Sequence, residues 1–174
     1  ARRMGIPTLL MVMYECEPEQ FPLGCHPDVI LTPSALDQDY YPEGIRCTVP
    51  SVKPGHVRSG PIRTFVHNAG HGGLLGRNGT AELIQAWPMV STEAKLVLRS
   101  QVPLDKALVN QAWANGNLEV HIGTVPAEQL YAVGECVVFP EKFNGLSLPL
   151  QEAFANGMVV AATAGGVTTA SRQT

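Results

Sequence analysis

The sequence predicts an α/β protein: a Rossmann-like, doubly wound parallel sheet preceded by a partial N-terminal α/β remnant. Three observations lead there. From residue 62 onward, short apolar runs alternate with helix-patterned stretches, the sequence form of a parallel sheet covered by helices. Two of those runs, ending near 66 and 139, are followed by loops containing glycine and then by helix starts, and ligands of α/β sheets gather at such strand ends. Residues 50–61 hold three prolines and two glycines among twelve positions, the composition of an extended linker.

The first strand is expected over 8–13, where every residue from Leu9 to Met13 is apolar, and the second over 28–32. Two strands are too few to bury both faces of a parallel sheet. Residues 1–60 therefore read as the tail of a larger α/β domain with its hinge, and 61–174 as the second domain. In that domain strands are expected at 62–66, 95–98, 119–122, 136–139 and 158–162, with helices at 80–87, 105–114, 127–133 and 149–156. Asn78 or Thr80 is expected to cap the first helix. Pro149 suits the first turn of the last one, where the amide it lacks would have no intrahelical partner, and Gly157 supplies its stop. After Gly165-Gly166 only eight residues remain, so the second domain is expected to be truncated.

The chain has 174 residues, 45% of them hydrophobic and 16% charged, enough for one ordinary domain and its core. A net charge of −3, with no basic run longer than Arg2-Arg3, excludes nucleic acid as an expected partner. The apolar run at 6–14 is broken by Pro7 and Thr8 and spans about half the ~20 residues a membrane-crossing helix needs. Arg2-Arg3 is not followed by a cleavage pattern of small residues, and Glu15 and Glu17 come too soon for a secretion signal. Cys16, Cys25, Cys47 and Cys136 have no C-x-x-C spacing, which fits reduced thiols. The expected location is the cytoplasm, with peripheral attachment to a membrane compatible with it. His67 and His71 stand four apart but belong to no zinc-ligand pattern with the scattered cysteines, and no Asp-x-Asp run occurs, so no bound metal is expected.

Two constellations carry chemistry. In the first, glycines at 70, 72, 73, 76 and 79 follow a strand and precede a helix. Such glycines let backbone amides approach a ligand, and the helix dipole favours an anion there. Arg77 sits where a guanidinium reaches a diphosphate, and His67 and His71 flank the same strand end. In the second, Val137 to Gly157 repeats the pattern of strand, loop and helix, and Glu152 falls about one turn inside the helix. A carboxylate there can accept from two neighbouring ribose hydroxyls; the competing reading is that it merely complements the helix dipole. His121 is expected as a core or edge residue and His26 and His56 as solvated. Trp87, Trp113 and Phe154 are expected in the core rather than as sugar platforms.

The stretch Val138-Phe-Pro-Glu-Lys-Phe-Asn-Gly-Leu-Ser-Leu-Pro-Leu-Gln-Glu-Ala-Phe-Ala-Asn-Gly-Met-Val-Val-Ala-Ala-Thr-Ala-Gly-Gly-Val167 resembles the donor-site signature of retaining GT-B glycosyltransferases of family 4, the glycosyl transferases group 1. Weaker similarity runs over residues 62–167. Arg77-Asn78-Gly79 resembles the basic residue and turn that start the domain's first helix, and Ile122-Gly-Thr-Val-Pro126 the segment passing the nucleobase. Asp28 to Ser34 and Thr48 to Ser51 resemble the end of the acceptor domain and its hinge. The resemblance implies one GT-B half-domain, the C-terminal donor-binding one, behind the tail of the acceptor-side domain. It implies transfer of a sugar from a nucleoside diphosphate sugar to an acceptor hydroxyl with retention, the acceptor being a glycan, lipid or protein.

By that resemblance Glu152 holds the ribose, Arg77 neutralises the diphosphate, and amides of Gly145, Leu146 and Ser147 contact the phosphate and the sugar. Gly70, His71, Gly72 and Asn78 shape the site from the glycine loop, and Gly123, Thr124 and Val125 pass the base. Where the family pattern has a glutamate eight residues before Glu152, this sequence has Asn144. An amide hydrogen-bonds a sugar hydroxyl but brings neither negative charge nor a base. Glu141 is the nearest carboxylate. Two other readings stand beside this one: a non-catalytic nucleotide-sugar or glycan-binding module, and a fragment of an NADP-binding oxidoreductase with Arg99-Ser100 at the 2′-phosphate. A homodimer through the apolar residues of 1–50 is expected.

Overall fold

The structure, a computed structural model, describes residues 4–12, 26–33, 38–39, 41–47, 55, 58–71, 76–90, 93–114, 117–142 and 147–164. The chain forms two compact units: Ala1–Ser51 with Asn144–Ser147 and Val167–Thr174, and Val52–Phe143 with Leu148–Gly166.

The first unit carries three parallel strands, β1 (Leu9–Met11), β2 (Val29–Thr32) and β3 (Ile45–Arg46), in the order β1-β2-β3. The third strand escapes sequence reading because two residues show no periodicity. It forms where Gln38 ties the preceding turn, its side-chain nitrogen reaching the Gly44 carbonyl at 2.9 Å while its oxygen accepts from the Thr32 hydroxyl at 2.7 Å. Gly44 permits the close approach, since a Cβ there would lie 2.5 Å from the Thr32 methyl. Asp28 fixes the start of the sheet by accepting from the Thr8 amide and hydroxyl at 2.8 and 2.9 Å. Val12, Ile30 and Tyr41 form its core.

The second unit is a five-stranded parallel sheet with helices between the strands. Its strands are β4 (Thr64–Gly70), β5 (Lys95–Ser100), β6 (Leu118–Ile122), β7 (Cys136–Phe139) and β8 (Val159–Ala162), in the order β6-β5-β4-β7-β8. Its helices are α1 (Thr80–Ala86), α2 (Lys106–Trp113) and α3 (Leu148–Ala155). The strand order reverses direction between β4 and β7. That is the switch point, where connections leave on opposite faces and open a crevice at the carboxyl ends.

Ile84, Trp87, Leu96, Leu98, Ala112 and Leu118 are buried together between the sheet, α1 and α2. Phe65 meets Trp87 edge-on, with ring centres 5.5 Å apart. Asp105 caps α2 by accepting from the amides of Ala107 and Leu108 at 2.8 and 3.2 Å. Gly157, at φ 65°, ends α3, and the next amide, Met158, returns to the Ala153 carbonyl at 3.1 Å.

Four sequence expectations are corrected. β4 continues to Gly70 rather than ending near 66, because the polar residues His67 and Asn68 stay in the strand by finding hydrogen-bond partners. The helix expected at 127–133 is only a short 3-10 turn, Ala127–Gln129. Its carbonyls are taken elsewhere: Arg99 Nη1 donates to those of Gln129 and Leu130 at 2.9 Å each, and the Arg58 guanidinium to those of Tyr131 and Gly134. Neither Asn78 nor Thr80 caps α1; Asn78 donates to the Ala69 carbonyl at 2.9 Å and Thr80 pairs with His67. Trp87 is buried as expected, but Trp113 and Phe154, in the last turns of α2 and α3, are each 53% exposed.

Candidate functional site

Five chain segments meet at the carboxyl edge of the second unit's sheet and line an open cavity of about 250 Å³. Gly70 ends β4, Ser100 and Gln101 follow from β5, Gly123 and Val125 come after β6, and Pro149 and Glu152 descend from α3. Leu130 and Tyr131, in the turn between β6 and β7, close one side. Gly70 at φ 57° and Gly123 at φ 133° hold backbone conformations that side chains disfavour, so the chain turns away from the strands at both places.

Glu152 is half-buried on α3. Its Oε2 accepts from the Tyr131 hydroxyl at 2.8 Å, and the same hydroxyl lies 3.2 Å from the Pro149 carbonyl. Tyr131 is buried, and that burial, reinforced by the hydrogen bond to Glu152 and its charge, pushes the phenol well above its ordinary value. It therefore stays a proton donor throughout the neutral range. Arg99 also faces the cavity; burial lowers its guanidinium from the ordinary value, with Glu119 opposing the shift, and it remains a cation.

A second cluster lies outside the lining of that cavity, where the loops following β4 and β7 join. The Lys142 amide donates to the Arg77 carbonyl at 2.9 Å, and the Lys142 ammonium pairs with Glu82 at 2.7 Å. Gly79, at φ 62°, packs so closely that a Cβ would lie 2.0 Å from the Pro140 carbonyl oxygen. Arg77 and Asn78 lie on one side of this join, and Glu141 on the other, its carbonyl accepting from the Thr163 hydroxyl.

Among the residues singled out from the sequence, Gly70, Gly123, Val125 and Glu152 therefore share one cavity. His71, next to Gly70, hydrogen-bonds Gln101 through Nδ1. Thr124 is exposed between two lining residues. Arg77, Asn78 and Glu141 gather at the loop join, and Ser147, just before α3 in sequence, groups with the first unit. Gly72, Asn144, Gly145 and Leu146 lie outside the described residues. His67 is buried and does not line the cavity. It is 2% exposed, with Nδ1 donating to the Val138 carbonyl at 3.0 Å and Nε2 accepting from the Thr80 hydroxyl at 2.9 Å. Burial lowers its pKa from 6.5 to about 4, so it is neutral. Tyr131 was not found by sequence reading, because it sits in a segment with a helical pattern and nothing local marks it. Its signal is tertiary: a phenol opposite a helix carboxylate.

The family model for glycosyl transferases group 1 matches residues 69–173. The chain belongs to the glycosyl transferases group 1 family. This group 1 chain has the Rossmann-like fold of a GT-B half-domain, and solved structures agree in fold. WaaG, a glycosyltransferase involved in lipopolysaccharide biosynthesis, matches at a TM-score of 0.55 and 16% identity over 79% of this chain and 44% of its own. Anabaena HepE, solved in complex with UDP and glucose, matches at 0.62 and 13% identity over 92% of this chain and 53% of its own. The pneumococcal O-GlcNAc transferase GtfA, solved with UDP and GlcNAc, matches at 0.62 and 14% identity over 90% and 37%. The group 1 chain thus spans about half the length of these structures, or less. No curated protein sequence matches it. Among the described residues no cluster of His, Cys, Asp and Glu could hold a metal ion, and no helix is long and apolar enough to cross a membrane.

Proposed function

We propose that this chain is the donor-binding half of a retaining, family 4 glycosyltransferase that takes its sugar from a nucleoside diphosphate. One observation carries the reading: the Glu152 carboxylate stands on α3 in a cavity formed by the carboxyl ends of β4, β5 and β6. A nucleotide in that cavity would offer its ribose diol to Glu152, its base to the backbone at Gly123 to Val125, and its diphosphate to the glycine loop at 70–79 with Arg77. The family resemblance assigns the phosphate and the donor sugar to the amides of Gly145, Leu146 and Ser147. Departure of the sugar leaves charge on a phosphate oxygen, and donors already in place stabilise that charge more than they stabilise the ground state. No metal is required by this reading, and the acceptor is a glycan, lipid or protein hydroxyl.

Calorimetry with UDP, GDP, ADP, CDP and TDP tests the proposal. Micromolar to millimolar binding of at least one is expected, with Glu152→Ala weakening it at least tenfold and Glu141→Ala leaving it within about twofold. Binding of none of them overturns the reading. The NADP alternative loses ground to geometry: Arg99 Nη1 is engaged by two carbonyls, and Glu152 would face the 2′-phosphate in the same cavity. A module that binds donor without transferring sugar is favoured by Asn144 in place of a carboxylate. Restored donor hydrolysis in Asn144→Glu would reject that module.

The homodimer remains part of the proposal. Leu9, Met11 and Ile45 are exposed on the first unit's sheet, and Met11, Leu31 and Ile45 lie in register across it. Light scattering at tens of micromolar is expected to give twice the chain mass; a monomer removes the dimer. We place the chain in the cytoplasm, peripheral to a membrane at most.

A further inference from the structure

We infer that Tyr131 is a positioning residue for nucleotide recognition, holding the Glu152 carboxylate in the one orientation that receives a ribose diol. The inference rests on the proposed role of Glu152 and adds a residue and a mechanism to it. A free glutamate side chain rotates about three bonds and loses much conformational freedom when a ligand fixes it. Here the Tyr131 hydroxyl donates to Oε2 at 2.8 Å, which sets the plane of the carboxylate in the absence of ligand. A carboxylate oxygen accepts more than one hydrogen bond, so Oε1 and the second lone pair of Oε2 remain for two vicinal hydroxyls.

The phenol is itself anchored. Tyr131 is 7% exposed, and it follows a short 3-10 turn whose backbone bonds end with the Ala132 amide on the Gln129 carbonyl, while two arginines hold the segment by its carbonyls. Arg99, at the end of β5, takes those of Gln129 and Leu130, and Arg58, ahead of β4, takes those of Tyr131 and Gly134. The hydroxyl thus reaches Glu152 from a backbone held at four carbonyls, two of them by Arg99 on β5. Its high pKa keeps the proton on the phenol, so the direction of donation does not change with pH in the neutral range.

Tyr131→Phe tests this, because the ring and its packing stay and only the hydroxyl leaves. Calorimetry compares UDP with 2′,3′-dideoxyuridine 5′-diphosphate, and GDP with its dideoxy analogue, on wild type, Tyr131→Phe, Glu152→Ala and the double variant, with a thermal melt confirming that each folds. Tyr131→Phe is expected to weaken the diol nucleotide three- to tenfold and leave the dideoxy nucleotide unchanged. In the Glu152→Ala background it is expected to change neither. 4-Fluorophenylalanine at position 131, which fills the place of the hydroxyl without a proton to donate, is expected to weaken the diol nucleotide as Tyr131→Phe does, and this arm decides the matter if Tyr131→Phe does not fold. Equal loss for diol and dideoxy ligands, or no loss for either while Glu152→Ala weakens binding, overturns the role of Tyr131 alone. Absence of nucleotide binding by wild type overturns the reading of Glu152 beneath it.

Discussion

The Lys142 amide and the Arg77 carbonyl are hydrogen-bonded at 2.9 Å, which joins the loop after β4 to the loop after β7 across the switch point of the sheet. The two strand ends that flank the crevice are thereby held together by backbone, and the side chains they carry inherit that spacing.

Gly79 is the residue this join depends on. Gly79→Ala would place a Cβ 2.0 Å from the Pro140 oxygen in a residue at φ 62°. A left-handed conformation alone costs a side-chain-bearing residue about 1–2 kcal/mol, and the clash adds to it. Urea unfolding is expected to show a loss of at least about 2 kcal/mol. A variant as stable as wild type would mean that the loops part without cost.

His67 makes stability depend on pH. Its pKa is about 4 in the folded chain against an ordinary 6.5, so below pH 6.5 the unfolded chain binds a proton that the folded chain refuses. This contribution is fully present above pH 6.5 and is lost as the pH falls through the window to 4. Its size is about 3 kcal/mol across that window, at about 1.4 kcal/mol per unit. Chemical denaturation at pH 7 and pH 4.5 is expected to show a smaller difference for His67→Gln than for wild type; equal differences would reject the assignment.

Arg58→Ala leaves the carbonyls of Tyr131 and Gly134 without their donor. An unsatisfied buried carbonyl costs about 1–3 kcal/mol. Faster amide exchange confined to residues 127–134 is the expected result, together with weaker nucleotide binding. Unchanged exchange there would show that the turn holds itself.

Glu135 fastens the start of β4, its Oε2 accepting from the amides of Thr64 and Arg63 at 2.8 and 3.1 Å. The Thr64 amide chiefly holds its carboxyl below the usual range; desolvation opposes it, and the Arg63 amide and the Arg58 charge add to the lowering. The stabilisation is present above the ordinary carboxylate pKa and is lost as acid protonates the folded group. Glu135→Ala is expected to lose about 1 kcal/mol at pH 7 and less at pH 3, read by denaturant midpoints at both values.

Residues 95–98 and 136–139 could be read as strands because buried parallel strands are short apolar runs, and β5 and β7 lie there; residues 119–122 show instead the polar–apolar alternation of the edge strand β6. β3 and the last residues of β4 could not, because Ile45-Arg46 and His67-Asn68 are held by partners distant in sequence. At the site, Glu152 could be singled out because its place near a helix start is local. Tyr131 could not, and His67 was misjudged, because exposure is not written in a residue's neighbours.

By itself the sequence determined the alternation of strands and helices, the glycine turns that follow β4 and β6, and the signature that spans β7 to β8, all properties of periodicity and backbone freedom within a few residues. Only the tertiary structure decided that Tyr131 meets Glu152 across 21 positions and that Arg58 meets Gly134 across 76. Those meetings depend on strand order, which places β7 beside β4 rather than beside β6, and strand order is settled by how whole faces pack.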